Sequence, residues 1–201
     1  MKKIKNIKLY GFTLIELLIV LAILGVLAVV VLIAINPTQQ LAKGRDTGRK
    51  SSVTQLGREL ASYFTARAIF PRNNNCTNMT SNWMDCLVAA GSLREIVGPI
   101  NYSANARCKT AGGGGSSLCP CTTGTGAGLQ WGVQNDWCYV VQSALGDAAV
   151  VYAPLESDTL TRSCPAGQWA YFIWSSADAR AGTICTAAGS RPAPGTHTFI
   201  D

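Results

Sequence analysis

Hydrophobic and polar positions divide this chain into four stretches. Residues 12–35 form 24 positions with a single charged side chain, Glu16. As a helix that run is about 36 Å long, enough to cross a bilayer with some tilt. Asn36-Pro37 ends it, because proline removes a backbone donor and disfavours helix at the residue before it. Gly25 is a second weak point within the run. The pattern then becomes amphipathic. Val53, Leu56, Leu60 and Phe64 recur at helical spacing with Tyr63 beside them, and Lys43, Arg45, Asp46, Arg49, Lys50 and Arg58 supply polar positions around that face. The helical pattern ends near Phe70-Pro71. A helix from Phe12 to Ala68 is on the order of 85 Å long, apolar all round in its first half and one-sided in its second, which suits a helix that leaves a membrane and packs on a globular head.

Residues 71–130 read as a mostly irregular connection. Trp83 to Ala90 and Leu93 to Val97 suggest short helical turns separated by Gly91. Residues 111–128 hold seven glycines and little that can be buried. From residue 131 the period changes to that of a sheet. Trp137 to Val141 and Ala148 to Ala153 are β-rich and flank the turn signal Leu145-Gly146-Asp147. Gln168 to Ser175 is the strongest strand, and Thr183 to Thr186 and Thr196 to Ile200 are weaker ones. The expected fold class is α+β: one long N-terminal helix on an antiparallel sheet of about four strands.

Charge changes this picture at the N-terminus. The formal net charge is +6, but Lys2, Lys3, Lys5 and Lys8 lie before the apolar run; without them 13 basic residues face 11 acidic ones. The basicity belongs to the leader and follows the positive-inside rule, which weakens any reading of the whole chain as a nucleic-acid binder. A secretory signal would have an apolar core of roughly 7–15 residues; this one is longer and carries an acid near its start.

All eight cysteines, Cys76, Cys86, Cys108, Cys119, Cys121, Cys138, Cys164 and Cys185, follow residue 75. An even number confined to the portion beyond the apolar run reads as disulfides formed outside the reducing cytosol. Cys119-Pro-Cys121 lacks the two-to-four-residue spacing usual for zinc, so no metal site and no cofactor are expected. Catalysis has little to stand on: the sole histidine, His197, is near the C-terminus, and no nucleophile-elbow motif accompanies it.

The segment Gly11-Phe-Thr-Leu-Ile-Glu16, with lysines before it and the apolar run after it, resembles the signature of the type IV pilin (prepilin) family, which includes the pseudopilins of type II secretion. The resemblance is specific over residues 8–37 and architectural beyond Pro71. It implies a pilin fold with a leader, 1–11, removed by prepilin peptidase; a helix, 12–70, transmembrane over 12–35; a variable connection, 71–130; and a sheet with the C-terminal region, 131–201. It implies cleavage between Gly11 and Phe12, N-methylation of Phe12, and pairing of Glu16 with the Phe12 terminus of a neighbouring subunit. An acid in a membrane segment is expensive and usually functional, and an ammonium four residues away attracts it strongly where little solvent screens the pair. Gly25 and Pro37 become points of helix flexibility during assembly, and Cys164–Cys185 resembles the disulfide that closes the C-terminal loop of many pilins.

The implied product is a homopolymeric extracellular filament for adhesion, motility or DNA uptake. It is made from a single-pass precursor in the cytoplasmic membrane with a platform protein and an assembly ATPase. The alternatives are a secretion pseudopilin and, from another class, a membrane-anchored adhesin or binding module. For DNA, Arg72, Arg94, Arg107 and Lys109 are the residues placed to touch phosphate. Major pseudopilins have a calcium site near the sheet, for which Asp147, Glu156 and Asp158 are the acids here, without EF-hand spacing. Asn75, Asn78 and Asn101 begin N-glycosylation patterns.

Overall fold

A computed structural model describes residues 11–77, 79–100, 124–126, 128–142, 144–187 and 190–200. The chain divides into two units, residues 1–40 and 41–201.

The first unit is built on α1, Leu14–Ile35, which has no buried residue. It stops at Asn36, whose φ of 46° and ψ of 75° are left-handed, a conformation asparagine tolerates better than most residues. Pro37 then occupies the first position of α2, Pro37–Arg67, where its missing N–H costs nothing and its fixed φ suits the helix. The Asn36 carbonyl accepts from the Gln39 N–H at 3.0 Å, and its Oδ1 accepts from the Thr38 hydroxyl at 2.7 Å. The break falls at Asn36-Pro37, while α1 runs through Gly25 without interruption.

Within the second unit, α2 buries Ala42, Asp46, Arg49, Val53, Leu56, Gly57, Leu60 and Tyr63. Two of these revise the sequence reading, in which Asp46 and Arg49 counted as polar surroundings. They continue the three- and four-residue spacing upstream from Val53 and lie on the inward face. At the other end of the stripe Tyr63 is buried, whereas Phe64 is half-buried and stacks on Phe70 with centroids 4.5 Å apart.

The connection holds more structure than its composition suggested. Helix α3, Met79–Ala89, buries Met79, Trp83, Met84 and Leu87. It ends where Gly91 takes a φ of 72° and the Ser92 and Leu93 N–H groups return to the Leu87 carbonyl at 2.9 and 3.1 Å. The helical turn expected over Leu93 to Val97 does not form: Leu93, Ile96 and Val97 keep helical spacing, but the Val97 carbonyl accepts from Asn135 Nδ2 and the Gly98 carbonyl from Trp137 Nε1, each at 2.8 Å.

Six strands make one sheet: β1, Gly124–Gly126; β2, Leu129–Gln134; β3, Trp137–Gln142; β4, Ala149–Pro154; β5, Gln168–Ser175; and β6, Arg180–Ala187. Their spatial order is their chain order and every pairing is antiparallel, so the sheet is a meander. The fold class is the expected α+β, with two more strands than the four anticipated. β1 and β2 begin before residue 131 and are short and glycine-containing. Gly132 in β2 is needed for close approach: a Cβ there would lie 2.8 Å from the Met79 carbonyl oxygen. Asn135 and Asp136, with φ of 52° and 65°, form the two-residue turn into β3. The weak strand expected over Thr196 to Ile200 is reduced to one bridge, Ile184 to Phe199, with the Ile200 N–H donating to the Thr183 carbonyl at 2.9 Å.

Both faces of the central strands are buried. Tyr139, Val141, Val151, Ala153, Ala170, Phe172 and Trp174 join the core shared with α2 and α3. Cys138, Val140, Val150, Tyr152, Tyr171, Ile173 and Ile184 form a second cluster. In the first, Trp83 stacks on Tyr139 with centroids 4.9 Å apart, and the Tyr139 hydroxyl donates to the Pro71 carbonyl at 2.9 Å. Burial pushes the Tyr139 hydroxyl pKa well up, so it stays a neutral donor. The short helix α4, Asp158–Thr161, lies between β4 and β5.

Candidate functional site

The segment around the expected leader boundary is built by local hydrogen bonding. Gly11, Phe12 and Thr13 precede α1 in non-helical conformation and are exposed, Phe12 to 84%. Thr13 is the N-cap, with extended φ and ψ of −81° and 152°. Its Oγ1 accepts from the Glu16 N–H at 3.3 Å. In return one Glu16 carboxylate oxygen accepts from the Thr13 N–H at 2.9 Å and from the Thr13 hydroxyl at 2.8 Å. This is a reciprocal capping box, which satisfies donors that every helix start leaves open. Thr-x-x-Glu before an apolar run is its sequence signal, and the sequence reading missed Thr13 because the charge of Glu16 accounts for that acid without a cap.

Two consequences follow for the chemistry of the segment. The Gly11–Phe12 bond lies outside the helix, where its backbone groups are not tied into α1. The Glu16 carboxylate is turned back toward residue 13, the neighbour of the atom that would become an ammonium on cleavage. After the cap, α1 is about 33 Å long. It is long and apolar enough to cross a membrane, the one such helix among the described residues. Nothing lies within 4 Å of a Cβ built on Gly11 or Gly25.

Residues 10–32 match the model of the prokaryotic N-terminal methylation motif. That motif is the hallmark of type IV pilins and pseudopilins. It supports a type IV pilin-like or pseudopilin subunit, a structural component, and with the apolar helix it fits a membrane-anchored precursor. The match spans the cap, the acid and most of α1, and leaves the head outside it. No curated protein and no solved structure matches the chain.

The remaining residues of interest are spread over the head. Cys76 is joined to Cys86, tying the chain before α3 to α3 itself, and Cys164 is joined to Cys185, tying the chain before β5 to β6. Cys138 is also disulfide-bonded. Cys108, Cys119 and Cys121 lie outside the described residues, as do the leader lysines, Arg107, Lys109, Asn78, Asn101 and the run Gly112 to Gly115.

Among the described residues, no three His, Cys, Asp or Glu side chains are grouped to hold a metal ion. Asp147 is exposed, Glu156 is paired with Arg45 and Arg49, and Asp158 faces Arg162 at 3.5 Å. Arg72 donates to the Ala144 carbonyl at 2.6 Å, whereas Arg94 is exposed. Asn75 is engaged in the loop, its Oδ1 accepting from the Arg72 N–H at 2.7 Å.

His197 Nδ1 lies 2.8 Å from Asp178 Oδ2, and the Asp178 N–H donates to the Ser175 hydroxyl at 3.3 Å. Burial alone would raise the Asp178 carboxyl, but the hydrogen bonds from His197 and Ser175 outweigh it and hold the group below the usual carboxylate range. The aspartate stands between serine and histidine, so this trio pins the C-terminal tail to the β5–β6 turn and does not present an activated nucleophile.

A buried charge network was not anticipated. Asp46 accepts from the backbone N–H of Glu156 at 3.0 Å and of Ser157 at 2.8 Å, and from Arg49 Nη1 at 2.8 Å. Arg49 also reaches the Pro154 carbonyl at 3.3 Å and Glu156 Oε1 at 2.8 Å, and Arg45 joins the same carboxylate. It clamps the early turns of the head-bound part of α2 to the chain leaving β4.

Proposed function

We propose that the chain is the precursor of a type IV pilus subunit, cut between Gly11 and Phe12, N-methylated at Phe12 and polymerised through its N-terminal helix. The observation that carries this reading is the exposed, non-helical Gly11–Thr13 segment, closed on its C-terminal side by the Thr13–Glu16 cap and followed by a membrane-length helix with no buried residue. A peptidase needs extended chain at the scissile bond, and an apolar helix with no buried residue needs lipid or other helices. Both requirements meet in one segment. Glu16 then neutralises the Phe12 ammonium of an adjacent subunit, because an unpaired carboxylate inside a helix bundle is costly. Prepilin peptidase, a platform protein, an assembly ATPase and further copies of the subunit are the partners this reading requires.

A displayed pilus is favoured over a secretion pseudopilus because the head is stapled by disulfides, which suit a durable surface outside the cell. N-terminal sequencing of the exported protein is expected to begin at N-methylated Phe12, and immunogold labelling is expected to decorate surface fibres. Glu16→Val is expected to be processed yet to yield no fibres. An intact leader, or normal fibres from that variant, would overturn the reading. Processed protein labelled only within the cell envelope would assign it to the pseudopilus instead.

A further inference from the structure

A cleft of about 320 Å³ opens at the C-terminal end of α2, walled by Tyr63 and Arg67 of that helix, the Cys76–Cys86 disulfide, and Asp85 and Ala89 of α3. Its volume is at the lower end of small-molecule sites. The wall combines three features. The Arg67 guanidinium lies 5.0 Å over the Tyr63 ring, and its fork of N–H donors suits a carboxylate. Asp85 Oδ2 accepts from Gln134 Nε2 at 2.6 Å while Gln134 Oε1 accepts from the Met84 N–H at 2.7 Å; this fixes the carboxylate and leaves acceptor capacity on its other oxygen. The disulfide and Ala89 add apolar surface to the same cleft, and the disulfide ties the loop to α3. Arg67 and Asp85 both line the cleft, and among the described residues no ion pair joins them, so neither charge is spent on the other.

We propose that this cleft binds a small zwitterion of the α-amino-acid type, its carboxylate on Arg67, its ammonium on Asp85 and an aliphatic body against the disulfide and Ala89. One charge of each sign in a small cleft discriminates against ligands that carry only one of them, since each would leave a fixed charge unanswered. The site belongs to the head and does not depend on processing or polymerisation, so it stands or falls separately from the filament reading.

The test uses the full chain in detergent micelles, titrated by NMR with L-valine, with isovalerate (valine without its amine) and with isobutylamine (valine without its carboxylate). Saturable shifts with valine are expected at a Kd of about 1 mM, the range open to a small ligand in an open site. Each single-charge analogue is expected to bind about tenfold more weakly, as for loss of a charge-assisted hydrogen bond. Arg67→Gln is expected to reduce valine to the isobutylamine level and Asp85→Asn to the isovalerate level, with unchanged thermal unfolding because both side chains are exposed. Absence of saturable shifts with valine, equal binding of valine and both analogues, or unaltered valine binding by both variants would overturn the proposal.

Discussion

α1 and α2 are consecutive helices of opposite character. The more apolar one, Leu14–Ile35, buries nothing in its own subunit. The more polar one, Pro37–Arg67, buries eight residues, two of them charged: the Asp46 side chain is 1% exposed and that of Arg49 3%. Burial therefore follows the presence of a partner and not apolarity alone. α2 has a one-sided pattern and a sheet within the same unit to receive it. α1 is apolar all round, which specifies no inward face, so its own pattern selects no partner. The capping box sharpens the contrast. α1 is defined at its start by one local polar device, whereas α2 is held by contacts with residues more than 100 positions away in the chain, such as Glu156 and Trp174.

The largest effect on the head is expected where that contrast is most extreme. Asp46→Ala removes the acceptor for the Glu156 and Ser157 N–H groups and leaves Arg49 buried with half its pairing. Breaking a buried pair in this way costs about 3–5 kcal/mol, a large share of the ~5–15 kcal/mol that holds a typical domain. All five tryptophans follow residue 80, so tryptophan fluorescence in a urea titration reports the head without α1. A cost below about 1 kcal/mol would mean that Val53, Leu56, Leu60 and Tyr63 hold α2 without the network, within the range of a surface ion pair.

Next in size is Gly57→Ala. A Cβ at Gly57 would stand 2.1 Å from Cγ of Trp174, so the indole ring rests on the bare helix backbone. Alanine favours helix over glycine by about 1 kcal/mol, yet here overpacking of about 1–3 kcal/mol opposes it. The expected net result is a lower urea midpoint. A second variant, Gly25→Ala, makes the comparison: open space surrounds that position, and the head's midpoint is expected to stay where it is. A Gly57→Ala protein as stable as the parent would show that Trp174 moves aside at no cost.

Sequence reading reached these regions unequally. The apolar run, its end at Asn36-Pro37 and the core stripe Val53, Leu56, Leu60 are legible because helical periodicity is local. Asp46 and Arg49 escaped because their residue types suggest solvent while their spacing suggests the core. Continuing the stripe upstream from Val53 in steps of four and three finds both. β2 escaped because Gly132 lowers strand propensity, and its reason, the Met79 carbonyl, comes from another element. Asn135-Asp136 was the signal that could have revealed the hairpin. At the candidate site Gly11, Phe12 and Glu16 stood out as a motif, whereas Thr13 acts through the capping box, whose signal Thr-x-x-Glu lies inside that same motif.

The smallest expected effect tests the other side of the comparison. Thr13→Val keeps the shape of the side chain and removes the hydroxyl that completes the box. Loss of an N-cap costs about 1 kcal/mol. Here the cost should fall on the first turn of α1 and not on the head, because the three hydrogen bonds involved all join residues 13 and 16. Amide exchange of Glu16 and Leu17, whose N–H groups bond to residue 13, is therefore expected to quicken in micelles by about fivefold, the equivalent of that 1 kcal/mol, with the tryptophan-monitored urea midpoint unchanged. Thr13→Ser, which retains the acceptor, is expected to restore protection. If Thr13→Val leaves exchange at the first turn unaltered, the start of α1 is fixed by its surroundings and not by its own cap. The contrast between a locally defined helix and a tertiary one would then fail at its one polar point.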